Sequence, residues 1–185
     1  KKRFIEKKLN IQFYDKVLMI SFHPVTLEEN SSKSQIDSIL FALSQFRDTT
    51  FIFSYPNSDM YGDEIIKSIK NFTKINKNAY LFKSLGQTMY YSLLKISDLI
   101  IGNSSSGIIE VPSFEIPTIN IGDRQKGRIR GKSIIDCNYS YDEIVSAIEL
   151  GLSKEFISKI KDYKNPYGDG NAADIIFKSI SEIDL

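Results

Sequence analysis

Six short apolar runs, at residues 17–22, 50–55, 79–82, 98–102, 118–121 and 133–135, are what most restricts the fold open to this chain. Each is rich in β-branched or aromatic residues and has the length of a strand. Between the first two, Ile36, Ile39, Leu40, Leu43 and Phe46 recur at helical spacing within residues 32–46. That spacing makes one apolar stripe, and so an amphipathic helix. Residues 63–76 repeat the pattern with Ile65, Ile66, Ile69 and Phe72, and residues 87–96 with Met89, Tyr90, Leu93 and Leu94. Parallel neighbours have to be joined by crossovers, and a right-handed helical crossover is the usual solution. The alternation therefore predicts an α/β fold, a Rossmann-like parallel sheet flanked by helices on both faces.

After Cys137 the strand signal stops. Residues 141–163 carry Ile144, Val145, Ile148, Leu152, Phe156 and Ile160 at helical spacing with Gly151 inside, which fits one kinked helix or two. The segment Asn165-Pro166-Tyr167-Gly168-Asp169-Gly170 is a breaker, and residues 171–183 read as a terminal helix. No repeat, linker or low-complexity tract divides the chain. At 185 residues a folded chain hides roughly 70% of its unfolded surface, enough for one sizeable core, and a single domain over 1–185 is expected.

Charge and composition narrow the function. Lys plus Arg is 24 against 23 Asp plus Glu, a formal net charge of +1, so no bulk field attracts nucleic acid or an acidic membrane. An anionic ligand has to be met locally. One cysteine, Cys137, makes neither an internal disulfide nor a cysteine zinc site, and one histidine leaves few nitrogen ligands, so no metal is expected. The start of the chain, Lys1-Lys2-Arg3-Phe4-Ile5-Glu6-Lys7-Lys8, lacks the apolar run of a signal peptide. No apolar stretch approaches the roughly 20 residues that span a bilayer, and a cytoplasmic protein is expected.

In open α/β sheets ligands sit at the carboxyl ends of the strands, which directs attention to the strand-to-helix junctions. The run Asp98-Leu99-Ile100-Ile101-Gly102-Asn103-Ser104-Ser105-Ser106-Gly107-Ile108-Ile109-Glu110 is a buried strand feeding a hydroxyl-rich turn and a helix. Backbone N–H groups at a helix start suit a phosphate, although an ordinary serine N-cap explains the same residues. The run matches neither GxGxxG nor GxxxxGK[ST], which counts against dinucleotides and Mg-ATP. Glu110 lies about one turn beyond Ser106, in reach of ribose hydroxyls or simply solvated. At Ser21-Phe22-His23-Pro24-Val25-Thr26 the proline keeps His23 extended at the strand end, with its ring free to point into a cleft, although a lone histidine is more often structural. Tyr55-Pro56-Asn57-Ser58-Asp59 offers an amide and a carboxylate, or a plain Asx turn. Arg124, Lys126, Arg128 and Arg130 form a cationic loop from which one arginine can engage a diphosphate, if the run is not merely solvated.

Taken together, these junctions, with Glu110-Val111-Pro112, Ile119-Asn120-Ile121-Gly122-Asp123-Arg124-Gln125-Lys126-Gly127-Arg128 and the 165–170 breaker, resemble the C-terminal half of hydrolysing UDP-N-acetylglucosamine 2-epimerases. The resemblance spans nearly the whole chain. It implies the second of two Rossmann-like domains of the glycosyltransferase-B type, with a preceding domain lying outside this sequence. It implies a UDP-sugar substrate, elimination of UDP to a glycal and hydration to a free 2-epimeric sugar for sialic-acid-type pathways. No cofactor or metal is implied, and the full-length enzyme is expected to be a homo-oligomer. Position by position, Ser104 and Ser105 would hold the diphosphate, Glu110 the ribose, and the Leu85 backbone the uracil. His23, as a catalytic group, with Asn57 and Arg124 would complete the pocket. The acid-base carboxylates would belong to the preceding domain, so this chain alone is expected to be inactive. A UDP-sugar glycosyltransferase domain and a non-catalytic nucleotide-binding module are the alternatives.

Overall fold

The computed structural model describes residues 2–25, 31–57 and 62–183. In chain order it contains α1 (Lys2–Leu9), β1 (Lys16–Ser21), α2 (Ser32–Leu43), β2 (Thr49–Ser54), α3 (Gly62–Ile75), β3 (Ala79–Phe82), α4 (Gly86–Leu94), β4 (Leu99–Gly102) and α5 (Ser105–Ile109). Then come β5 (Thr118–Ile121), β6 (Ile134–Cys137), α6 (Tyr141–Leu152), α7 (Lys154–Ile160) and α8 (Ala172–Ser181). The six strands form one sheet in the order β3-β2-β1-β4-β5-β6 with every pairing parallel. This is the doubly wound α/β architecture that the alternating pattern predicts.

Both faces of the sheet are covered, which is why the strands read as continuous apolar runs. Leu18 and Ile20 point to one face, where they join Phe51, Phe53, Leu99, Ile101, Ile119 and Ile121 beneath α2, α3 and α6. Val17 and Met19 point to the other, with Ile52 and Ile100 beneath α1 and α4.

Two details depart from the sequence pattern. Charge-rich residues 2–9 give no strong periodic signal, yet α1 forms. Its buried residue Ile5 enters the second core, and Glu6 Oε1 accepts the Phe13 N–H at 2.9 Å. Gly151 does not interrupt α6. The break falls at Ser153, whose Oγ accepts the Phe156 N–H at 3.2 Å and starts α7. Gly151 is instead a close-packing position, since a Cβ there would lie 2.7 Å from Leu99 Cδ1.

Helix α8 buries no side chain, and Ile175, Ile176, Phe177 and Ile180 stand exposed along it. A helix without tertiary packing adds little to global stability. Removing residues 172–185 from this chain is therefore expected to move the thermal midpoint by no more than about 2 °C. Calorimetry of the truncated chain checks this, and a fall of more than about 5 °C would show packing that the exposed face does not.

Candidate active site at the switch point of the sheet

The chain leaves β1 for β2 on one side of the sheet, whereas β4 on its other side leads on to β5, so the carboxyl ends of β1 and β4 flank the topological switch point. The two backbones touch there. Gly102 pairs with Ser21, and at φ 137° a Cβ on residue 102 would lie 2.0 Å from the Ser21 carbonyl oxygen. Only glycine fits such a conformation and approach.

Asn103 follows, completely buried, and joins three strand exits. Its N–H donates to Ser21 O at 3.2 Å. Its side chain brackets the His23 backbone: Oδ1 accepts the His23 N–H at 2.7 Å and Nδ2 donates to His23 O at 2.8 Å. Its carbonyl accepts from Gln125 Nε2 at 2.8 Å and Arg124 Nη1 at 3.2 Å. Arg124 is thereby fixed beside the serine turn. Arg130 has another task. It forks onto Asp136 through Nε at 3.0 and 3.2 Å and donates to the carbonyls of Gln125 and Arg128, closing the loop on itself. Lys126 pairs only with exposed Asp123, and Arg128 is exposed.

The expectation of a free imidazole at His23 needs correction. The residue is only 6% exposed. Its Nδ1 accepts the Asn57 N–H at 3.0 Å, and Nε2 lies 3.3 Å from Ser21 Oγ. A ring that accepts at Nδ1 carries its proton at Nε2, so these contacts assign the neutral Nε2–H tautomer. The ring is drawn in by the β2 exit rather than left open. Asn57 contributes its backbone N–H, while its side chain is exposed. Thr26, Ser58 and Asp59 lie outside the described residues.

Ser104 occupies the N-cap position of α5 with φ −72° and ψ 140°, yet its hydroxyl makes no capping bond. The ordinary N-cap explanation thus fails for this serine, which leaves its hydroxyl and the first-turn N–H groups for a ligand. Helix α5 is only five residues long and gives way to a 3-10 turn over Val111–Phe114. Little macrodipole accumulates over so short a segment, and positive potential at the turn comes chiefly from local N–H groups and Arg124.

Glu110, at the C-terminal end of α5, is held by hydroxyls. Ser106 Oγ donates to Oε2, and Tyr91 Oη donates to Oε1 at 3.1 Å. Tyr90 Oη lies 2.6 Å from Ser106 Oγ, and burial pushes its phenol pKa upward. Leu85 precedes α4, half-buried against the same core, five residues before Tyr90. The resemblance's site residues thus gather at one edge: His23 and Asn57 from β1 and β2, Ser104, Ser105 and Glu110 after β4, and Arg124 after β5. Leu85 joins them from the start of α4. Behind them Asn165 Nδ2 donates to Ile109 O at 2.8 Å and Ser113 Oγ at 2.7 Å, tying the breaker loop to α5.

Sequence pattern gives no separate role to Asn103, Gln125, Ser106 or Tyr91, and it counts Tyr90 as a core residue of the α4 stripe. Only their contacts reveal them. Cys137 is not a nucleophile in this setting, because burial pushes its thiol pKa up to about 12.

Residues 1–181 match the family model described as UDP-N-acetylglucosamine 2-epimerase. The chain belongs to the UDP-N-acetylglucosamine 2-epimerase family. Among epimerase relatives and others of similar sequence, it is 45% identical over 155 residues to the polysialic acid biosynthesis protein P7 of Escherichia coli. It is 40% identical over 156 residues to the GDP/UDP-N,N'-diacetylbacillosamine 2-epimerase (hydrolyzing) of Campylobacter jejuni. These alignments cover 83% and 84% of this chain but 39% and 40% of the relatives. The aligned stretch therefore spans well under half of their length.

Solved epimerases share the fold. A UDP-GlcNAc 2-epimerase from Neisseria meningitidis, crystallised with UDP-GlcNAc, superposes with TM-score 0.70 at 20% identity, over 98% of this chain and 48% of that one. A C-terminal domain of a group 1 glycosyl transferase from Francisella tularensis superposes with TM-score 0.56 at 12% identity, over 97% and 93%. The epimerase fold seen here is thus also that of a glycosyltransferase-B-type C-terminal domain. Among the described residues no helix is long and apolar enough to cross a membrane.

Proposed function

We propose that residues 1–185 form the nucleotide-binding C-terminal domain of a hydrolysing UDP-N-acetylglucosamine 2-epimerase, or of its UDP-diacetamido-sugar counterpart. A preceding domain of the longer protein would complete the sugar pocket and supply the acid-base carboxylates. The observation that carries this reading is the convergence on Asn103: one buried amide brings His23, the serine turn and Arg124 to a single sheet edge. Family membership and the hydrolysing relative support it.

In the proposed reaction a base removes the sugar's H2 as the C1–O bond breaks. The bonding electrons pass to the diphosphate oxygen, and UDP leaves behind a glycal. Water then adds, with hydroxyl at C1 and a proton at C2 on the opposite face. The contribution of this chain is to leaving-group charge, which fixed donors stabilise best when they are already in place. Ser104 and Ser105 with their N–H groups hold the diphosphate, and Arg124 adds a guanidinium. Glu110 takes the ribose, and the Leu85 backbone lies beside uracil. His23, with Nδ1 held by the Asn57 N–H and Nε2 3.3 Å from Ser21 Oγ, would meet the leaving group by turning its Nε2–H away from that hydroxyl. With the base in the preceding domain, this chain alone binds UDP weakly and turns nothing over.

Calorimetry tests the site. In the full-length enzyme Ser105→Ala is expected to weaken UDP binding by about 1–2 kcal/mol, the usual cost of losing a hydrogen bond to a charged group. Unchanged affinity would leave Ser105 without a part in binding the diphosphate.

A further inference from the structure

The carboxylate of Glu110 sits at the end of a relay that starts on another helix. Ser106 has one hydroxyl proton and spends it on Glu110 Oε2, so the 2.6 Å contact with Tyr90 can only be Tyr90 donating to Ser106. Tyr91, next on α4, donates to the other carboxylate oxygen. Its ring stacks on Phe114 at 5.7 Å, and against Tyr90 at 5.8 Å, which fixes both phenols. Glu110 is thus gripped at both oxygens, one directly from α4 and one through Ser106. An ionised carboxylate accepts at about four lone-pair positions. With one hydroxyl on each oxygen, Glu110 keeps acceptor capacity for a ligand that brings hydroxyl donors, such as a ribose.

We propose that Tyr90 and Tyr91 are positioning residues that orient Glu110 to recognise the ribose diol of a nucleoside diphosphate, making α4 the specificity element of the site. This rests on the UDP-binding reading above. It adds a selection rule: ligands that keep uracil and diphosphate but lack the diol are rejected through α4. Without Tyr90, Ser106 is free to rotate and accept or donate elsewhere. Without Tyr91, Oε1 loses its anchor. In both cases the carboxylate remains but loses its direction.

The test is calorimetric titration of the full-length enzyme with UDP and with 2',3'-dideoxy-UDP, on wild type, Tyr90→Phe, Tyr91→Phe and Ser106→Ala. Phenylalanine keeps the stacking and removes only the hydroxyl, while Ser106→Ala cuts the relay without touching α4. Wild type is expected to prefer UDP by about tenfold or more. Each variant should weaken UDP binding about fivefold, the effect of one hydrogen bond, and leave dideoxy-UDP within about twofold, so that the preference collapses. Equal weakening of both ligands would mean that the tyrosines act only on local structure, and would overturn the proposal while leaving the UDP site standing. A wild-type enzyme that binds UDP without diol preference would overturn it as well. A wild-type enzyme that binds neither ligand would overturn the UDP-binding reading itself.

Discussion

His23→Ala in the full-length enzyme lowers kcat by about 100-fold or more, the scale typical of losing a fixed donor to developing charge. The same substitution also costs stability, because His23 is buried and its Nδ1 accepts the Asn57 N–H. Losing that half-exposed hydrogen bond costs about 0.5–1.5 kcal/mol, which for a chain of this size lowers the midpoint by roughly 1–6 °C. Turnover must therefore be expressed per folded molecule, with kcat and midpoint measured on the same preparation. A loss of kcat well beyond the loss of folded protein is the expected result. Near-normal turnover per folded molecule would make His23 a structural link between β1 and β2 and nothing more.

Gly102→Ala is expected to be the most damaging substitution to the fold. The added Cβ would lie 2.0 Å from the Ser21 carbonyl oxygen, and the residue sits at φ 137°. Neither strand can yield easily, because β1 and β4 are the two central strands and Ser21 is in register with residue 102. Backbone strain and overlap together cost about 3–5 kcal/mol or more. The expected outcome is a midpoint lowered by roughly 6–20 °C, or no soluble protein. Thermal unfolding of the purified variant checks it, and a midpoint within about 2 °C of wild type would show that the strand ends can separate. By contrast Gly86 and Gly127, whose added Cβ atoms meet nothing within 4 Å, carry strain at positive φ but no overlap.

The sheet was legible because burial on both faces makes the central strands apolar along most of their length, and Leu18 and Met19 declare that on adjacent residues. At the serine turn the pattern leaves a phosphate site and an ordinary N-cap equally open, and it takes the missing capping bond of Ser104 to weigh against the second. What could not be read depends on partners distant in sequence. The place of the His23 ring is set by Asn57, 34 residues on, and its backbone by Asn103, 80 residues on. Tyr90 has the spacing of a core residue, and only the approach of α4 to Ser106 shows that its hydroxyl is used. Gly151 looks like a helix breaker in isolation and becomes a contact position only when α6 lies on Leu99. Helix α1 is hidden for another reason: its one buried anchor, Ile5, is too little to make a stripe.

Product analysis tests the central claim most directly. The full-length enzyme is incubated in deuterium oxide with UDP-N-acetylglucosamine, and separately with its UDP-diacetamido counterpart, with no sugar acceptor present, and followed by nuclear magnetic resonance. With one of the two substrates, UDP and a free 2-epimeric sugar are expected in equal amounts, the sugar deuterated at C2. A 2-epimer that remains attached to UDP, a free sugar of unchanged configuration, or no turnover of either substrate would contradict the claim.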